Sequence, residues 1–152
     1  MGANAQAICT SFKAEVLQAY HNFGTTVTRA GTGADSFKAA LYTQNSSIGA
    51  ATTAYSATGE VSGTNYTAGG EAVTNATAPA TSGTTAYWTP SANLSWSNVT
   101  LSTAFDCCLL YNASQGNRAV ASYTFGAQTV TAGTFTLTMP GNAASTALLQ
   151  VN

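Results

Sequence analysis

From residue 36 onward the sequence changes from a helical period to short runs of alternating character, and that change decides what the chain can become. The segment "GTFTLTM" (133–139) shows it cleanly: Phe135, Leu137 and Met139 fall on one side, Thr134, Thr136 and Thr138 on the other. Successive strand residues point to opposite faces, so such a pattern buries one face and wets the other. Threonine suits the wet face because it joins high β-propensity to tolerance of water. Seven further runs are rich in β-branched and aromatic residues: "SFKAALYT" (36–43), "GEAVTNA" (70–76), "TTAYWT" (84–89), "NLSWSNVTL" (93–101), "FDCCLLY" (105–111), "RAVASYTF" (118–125) and "TALLQV" (146–151). Turn signals such as "NASQGN" (112–117), "TAG" (131–133) and "PGN" (140–142) separate them. Short strands spaced about ten residues apart predict a mainly β chain, an antiparallel β-sandwich or jelly roll over 36–151. The expected inward set includes Phe37, Leu41, Trp96, Leu110, Val120, Phe125, Phe135 and Leu137.

Upstream the period is helical. Ile8, Phe12, Val16, Ala19 and Phe23 lie four, four, three and four residues apart, which predicts one N-terminal amphipathic helix over 4–23 that stops at Gly24. Lys13, Glu15 and Gln18 occupy its wet side. With 152 residues the chain is expected to form a single domain, 1–152, able to bury a core without disulfide or metal.

Only 6% of the residues are charged and the net charge is -1, against about 25% charged in ordinary soluble domains. No nucleic-acid or membrane partner is expected from such a balance. Hydrophobic residues at 45% and aromatics at 10% speak against disorder. The expected surface of Thr, Ser, Asn, Gln, Gly and Ala is poorly guarded against self-association, which points to permanent assembly. No run of 18 apolar residues occurs, and "MGANAQAICTSFKAEV" lacks the basic flank and apolar stretch of a signal peptide. Synthesis in a cytoplasm is expected. The Met-Gly start has Gln6 where myristoylation favours Ser or Thr.

The residue inventory offers little chemistry. Cys9, Cys107 and Cys108 fit no metal-ligand spacing and are expected to be structural and unlinked; on a strand, one of the adjacent pair should be buried and the other turned outward. His21, near the end of the predicted helix, reads as a dipole partner or surface group. A glycosidase needs two carboxylates in a cleft. Among Glu15, Asp35, Glu60, Glu71 and Asp106 a pair such as Glu60 with Glu71 is formally available, but these acids read better as partners of Lys13, Arg29, Lys38 or Arg118, or as turn and interface groups. Trp88, Tyr87 and Trp96 suit buried core better than a sugar platform. Six Asn-X-Ser/Thr sequons occur, at Asn45, Asn65, Asn75, Asn93, Asn98 and Asn112, and chance explains most of them in so Asn-, Ser- and Thr-rich a chain. The stretch "AYSATGEVSGTNYTAGGEAV" (54–73) resembles a binding loop, yet it holds no His, Cys, Lys or Arg, and the segment after it alternates like a strand, unlike a phosphate-binding loop. Its glycines read as turns bracketing short pieces that pair or wrap. No catalytic, cofactor-binding or metal-binding residue and no cofactor are expected.

The phrases "ALYT" (40–43), 54–73 as quoted, "LLYNAS" (109–114), "NRAVASYTFG" (117–126) and "TAGTFTLTMP" (131–140) together resemble small virion proteins of tailed bacteriophages, the capsid decoration or cement proteins and related head-associated β-sandwich proteins. The likeness covers about 36–140. It departs at Asp106-Cys107-Cys108 and in the Tyr/Trp-rich segment 87–96. The resemblance implies a non-enzymatic subunit of the virion, made in a bacterial cytoplasm and placed on the capsid surface. Its implied partners are the major capsid protein and itself, as a dimer or trimer. The amphipathic helix and "TALLQV" are then candidate contacts between subunits, or dock equally well on their own sandwich. The alternative is a phage tail or receptor-binding protein that meets a host glycan.

Overall fold

The computed structural model describes residues 3–17, 19–25 and 33–152. The chain is mainly β, with two antiparallel sheets. The larger has the order β1-β7-β6-β2-β3, built from Ala7–Ile8 (β1), Phe37–Thr43 (β2), Glu71–Val73 (β3), Leu94–Asn112 (β6) and Arg118–Leu137 (β7). The smaller has the order β4-β5-β8, from Ala80–Ser82, Thr85–Trp88 and Leu149–Val151.

One hairpin dominates. β6 has 19 residues and β7 has 20, several times the usual strand, so the separate strands expected at 93–101, 105–111, 118–125 and 133–139 are halves of two continuous ones. They do not run straight. Phe125 and Phe135 would lie about 34 Å apart on a straight strand, yet their ring centroids are 5.4 Å apart. The hairpin therefore folds back on itself. Register shifts between Trp96 and Val99, Val99 and Leu101, and Leu101 and Phe105 supply the bend, because extra residues in one strand kink and twist a ladder. The "TAG" signal marks such an irregularity: Ala132 has φ 44 and Gly133 pairs with Val99.

The fold-back makes the core. Phe105 meets Phe135 edge-on at 5.0 Å and Trp96 lies 5.8 Å from Phe135. At the other end Phe23 stacks on Phe37 at 4.5 Å, and Trp88 of the smaller sheet sits 4.7 Å from Phe23. Of the expected inward set, Phe37, Leu41, Trp96, Leu110 and Val120 are buried, while Phe125, Phe135 and Leu137 are half-buried at its margin. The threonines of 133–139 face outward as expected.

Two expectations need correction. The helix is α1, Thr10–Leu17, only eight residues. Residues 4–9 are not helical: Ala7 and Ile8 form β1, Ile8 pairs with Ala121, and the Cys9 and Thr10 amides donate to Val120 and Ala50 carbonyls, both at 2.9 Å. The helix ends six residues before Phe23, where the Ala19 amide reaches Val16 at 3.1 Å and the Tyr20 amide reaches Glu15 at 3.0 Å, a closure that turns Ala19 left-handed at φ 56. The amphipathic stripe is thus broken: Phe12 is buried but Val16 is 43% exposed. Secondly, Cys107 and Cys108 are both buried and both free, as is Cys9. They do point apart, but each face of β6 is covered there. Burial pushes the Cys9 thiol up to about 11 and that of Cys107 to about 12, and raises Cys108 as well. Arg29 lies outside the described residues.

Candidate functional site

The only histidine is not a surface group. Its imidazole is 0% exposed, held where the short helix, the segment before β2 and the tip of the long hairpin meet. Nε2 lies 2.8 Å from Glu15 Oε2, and Nδ1 lies 3.1 Å from the Asn112 amide nitrogen. Glu15 takes a second contact from Arg118 at 2.8 Å, and that guanidinium lies 4.2 Å over the Tyr20 ring. The Asn112 amide also donates to Asp35 Oδ2 at 2.8 Å. Asp35 further accepts from the Asn22 backbone at 2.8 Å and from Gln115 at 3.2 Å.

The pattern fixes the tautomer. A carboxylate only accepts and an amide nitrogen only donates, so the neutral ring carries its proton on Nε2 toward Glu15 and offers its Nδ1 lone pair to Asn112. Both nitrogens are engaged by the fold itself. A general base needs a lone pair directed at its substrate; that of His21 is directed at Asn112. Desolvation by burial lowers the His21 pKa below its ordinary 6.5, outweighing the Glu15 carboxylate, which acts to raise it.

This gives a pH dependence. Below about pH 6.5 the unfolded chain binds a proton at His21 that the native chain resists, so stability is full above that pH and declines as pH falls. Urea unfolding of the wild type is expected to show midpoints dropping as pH falls below about 6.5, and His21→Gln to flatten that drop while being less stable throughout. An identical slope in both proteins would contradict the placement.

The stretch 54–73 forms the second cluster. Glu60 accepts from Tyr55 hydroxyl at 2.6 Å, Tyr66 hydroxyl at 2.8 Å and the Gly69 amide at 2.8 Å. Tyr55 stacks on Tyr111 at 4.8 Å, whose hydroxyl donates to Gly69 carbonyl at 2.7 Å. Burial pushes the hydroxyls of Tyr55 and Tyr111 up to about 12, so they remain proton donors. The segment pairs at isolated bridges, Glu60 with Tyr42, Ala54 with Arg118 and Thr64 with Thr100. It wraps one face of β2 and β6, fastened by a carboxylate that meets tyrosines where a cation was expected. Glu71, on β3 opposite Ala39, is not among Glu60's partners. Among the described residues no three His, Cys, Asp or Glu side chains converge as metal ligands do, and no helix is long and apolar enough to cross a membrane.

Trp88 and Trp96 are both core residues, and the Trp88 indole donates to Thr77 carbonyl at 2.9 Å; of the aromatic trio only Tyr87 is half-open. Asn112 is a fully buried sequon. Asn45, Asn65 and Asn98 instead serve at φ 66, 60 and 54, the left-handed region asparagine tolerates best after glycine. An apolar cavity of about 250 Å³ opens between Cys108, Leu110, Tyr123, Leu137 and Met139. A shallower hollow of about 180 Å³ joins Phe12 and Val16 of α1 to Trp88, Leu149 and Val151. The helix and the C-terminal run thus dock on their own fold, and each leaves one valine outward, Val16 at 43% and Val151 at 50% exposed.

Charge is unevenly placed. No Asp, Glu, Lys, Arg or His occurs between Glu71 and Asp106 or after Arg118, so the smaller sheet and the folded-back half of the long hairpin carry none. Compared with protein-family models, curated proteins and solved structures, the chain matches none.

Proposed function

We propose that the chain is a structural subunit of a bacteriophage virion that decorates the capsid and stabilises the icosahedral head. In this reading the fold-back of the hairpin and the smaller sheet make the two layers of a β-sandwich, used as a brick. The observation that carries it is the uncharged half of the molecule. Exposed charge is the usual device that keeps a domain soluble and single, and here several of the few charges are turned inward: Glu15 and Asp35 are buried, and Glu60 is tied to tyrosines. What remains outward on the smaller sheet and outer hairpin is mostly Thr, Ser, Asn, Gln and Ala, with Val151 the one large apolar side chain among the described residues there. Such a surface suits broad, lasting contact with the major capsid protein and with further copies of itself.

The two buried clusters serve the same end by fixing the shape. The polar network around His21 ties the N-terminal segment to the hairpin tip, and the Glu60 cluster ties the long wrap to β2 and β6. Each copy contributes modestly, because docking must first offset lost rigid-body freedom of about 4 kcal/mol or more; the lattice multiplies the effect. A receptor-binding role would call for an exposed aromatic platform, and both tryptophans lie in the core. Adding the purified protein to heads assembled without it tests the proposal. Saturable co-sedimentation with heads is expected; binding to tails or host cells, and none to heads, would overturn it.

A further inference from the structure

The outer half of β7 has a strand on one side only. Residues 133–137 pair with β6 through Val99 with Gly133, Trp96 with Phe135, Ser95 with Thr136 and Leu94 with Leu137, whereas β1, the other neighbour of β7, reaches only Ala121 and Ser122. Among the described residues no other strand or bridge covers that edge. Open edges are ordinarily guarded by lysine, proline, a bulge or a covering loop. Here 119–139 holds no charge and no proline, and the irregularity at Ala132 ends where the straight run begins.

The geometry points to this edge as the surface on which a second copy of the chain pairs, antiparallel, about a two-fold axis at Thr136. Three observations select the occupant. First, 134–138 reads Thr-Phe-Thr-Leu-Thr, nearly the same in both directions. With the axis at Thr136, Thr136 meets the partner's Thr136, Phe135 meets the partner's Leu137, and Thr134 meets the partner's Thr138. Opposed residues of an antiparallel pair share a face, and Thr with Thr and aromatic with aliphatic are favourable cross-strand pairs. Second, Thr134, Thr136 and Thr138 are exposed while Phe135 and Leu137 are half-buried. Pairing lines up the threonines of both copies in one row and covers the remaining apolar area beside the larger cavity. Third, a two-fold interface sets each patch against itself. A charge there would meet its own copy, so a self-pairing edge has to be uncharged, whereas an edge meant for a charged partner carries the opposite charge.

The inference rests on the proposed function only for association of the chain with itself. Its test uses Thr136, whose exposed hydroxyl touches Ser95 at 2.9 Å and whose replacement leaves the core intact. Sedimentation over a concentration series is expected to show a reversible dimer, and Thr136→Lys, which sets two like charges face to face, to weaken it about tenfold or more with an unchanged circular dichroism spectrum. Thr136→Cys is expected to give a covalent dimer under mild oxidation, since Cys9, Cys107 and Cys108 are buried. An unchanged dimer in the lysine variant, or a cysteine variant that stays monomeric on oxidation, overturns the edge and leaves the capsid reading standing. A dimer that behaves as expected from a protein that fails to bind heads overturns the capsid reading and leaves the edge.

Discussion

Gly70→Ala is expected to prevent folding. Gly70 stands at φ +71 just before β3, and a Cβ there would drive into the backbone of β2, against the Ala39 carbonyl and 2.6 Å from Ala40 Cα. Both obstacles are main chain in the middle of the larger sheet, so neither can turn aside. Relief requires β3 to leave β2, and with it the Gly69 amide that holds Glu60. The cost is about 4 kcal/mol or more, the range in which a marginally stable domain is lost. Gly116→Ala is the control, at φ +63 with open space around it; it carries only left-handed strain, about 1 kcal/mol. Soluble yield and circular dichroism should separate the two variants. A Gly70→Ala protein as stable as Gly116→Ala would contradict the close approach.

Asn112→Ala is expected to cost about 3 kcal/mol, more than a buried amide of that size usually contributes. Its nitrogen serves His21 Nδ1 and Asp35 Oδ2, and its oxygen accepts from the Ser114 amide at 3.1 Å. Truncation leaves a buried imidazole nitrogen unpaired and a buried carboxylate one donor short, and groups stranded in this way cost their full desolvation. Asn112→Asp, nearly the same shape, replaces the shared donor with a carboxylate beside Asp35 and should be worse. Urea midpoints read both; a loss under about 1 kcal/mol for Asn112→Ala would mean that the network does not hold the hairpin tip.

The strands were legible because alternation is a local signal. At 133–139 each threonine and each apolar residue falls on the face its type predicts. The breaks at 102–104 and 126–132 look like loops for an equally physical reason: a bend and a turn use similar residues, and only the register between distant strands tells them apart. The helix failed at its start because Ile8 answers to Ala121, a tertiary pairing that outweighs a helical spacing matched at five positions. In the buried network, Glu15 sits six residues before His21, and the turn that closes α1 brings them together. Asp35 and Asn112 come from elsewhere in the chain, and Asn112 carried only a misleading sequon. The Glu60 cluster was half visible: Tyr55, Tyr66 and Gly69 all lie in the stretch that resembled a binding loop, and the missing piece was that a carboxylate can be fastened by phenols. The uneven placement of charge needed no structure, but its meaning did, since only the fold shows that the uncharged residues gather on the smaller sheet and outer hairpin.

On the proposed function, the chain strengthens a preassembled head. Phage grown without the gene should form heads of normal size that release DNA on heating or chelation under conditions the wild type survives, and purified protein added to those heads should restore resistance in proportion to occupancy. Heads lacking the protein that prove as robust as wild type, in particles that fail only at adsorption to the host, would contradict it.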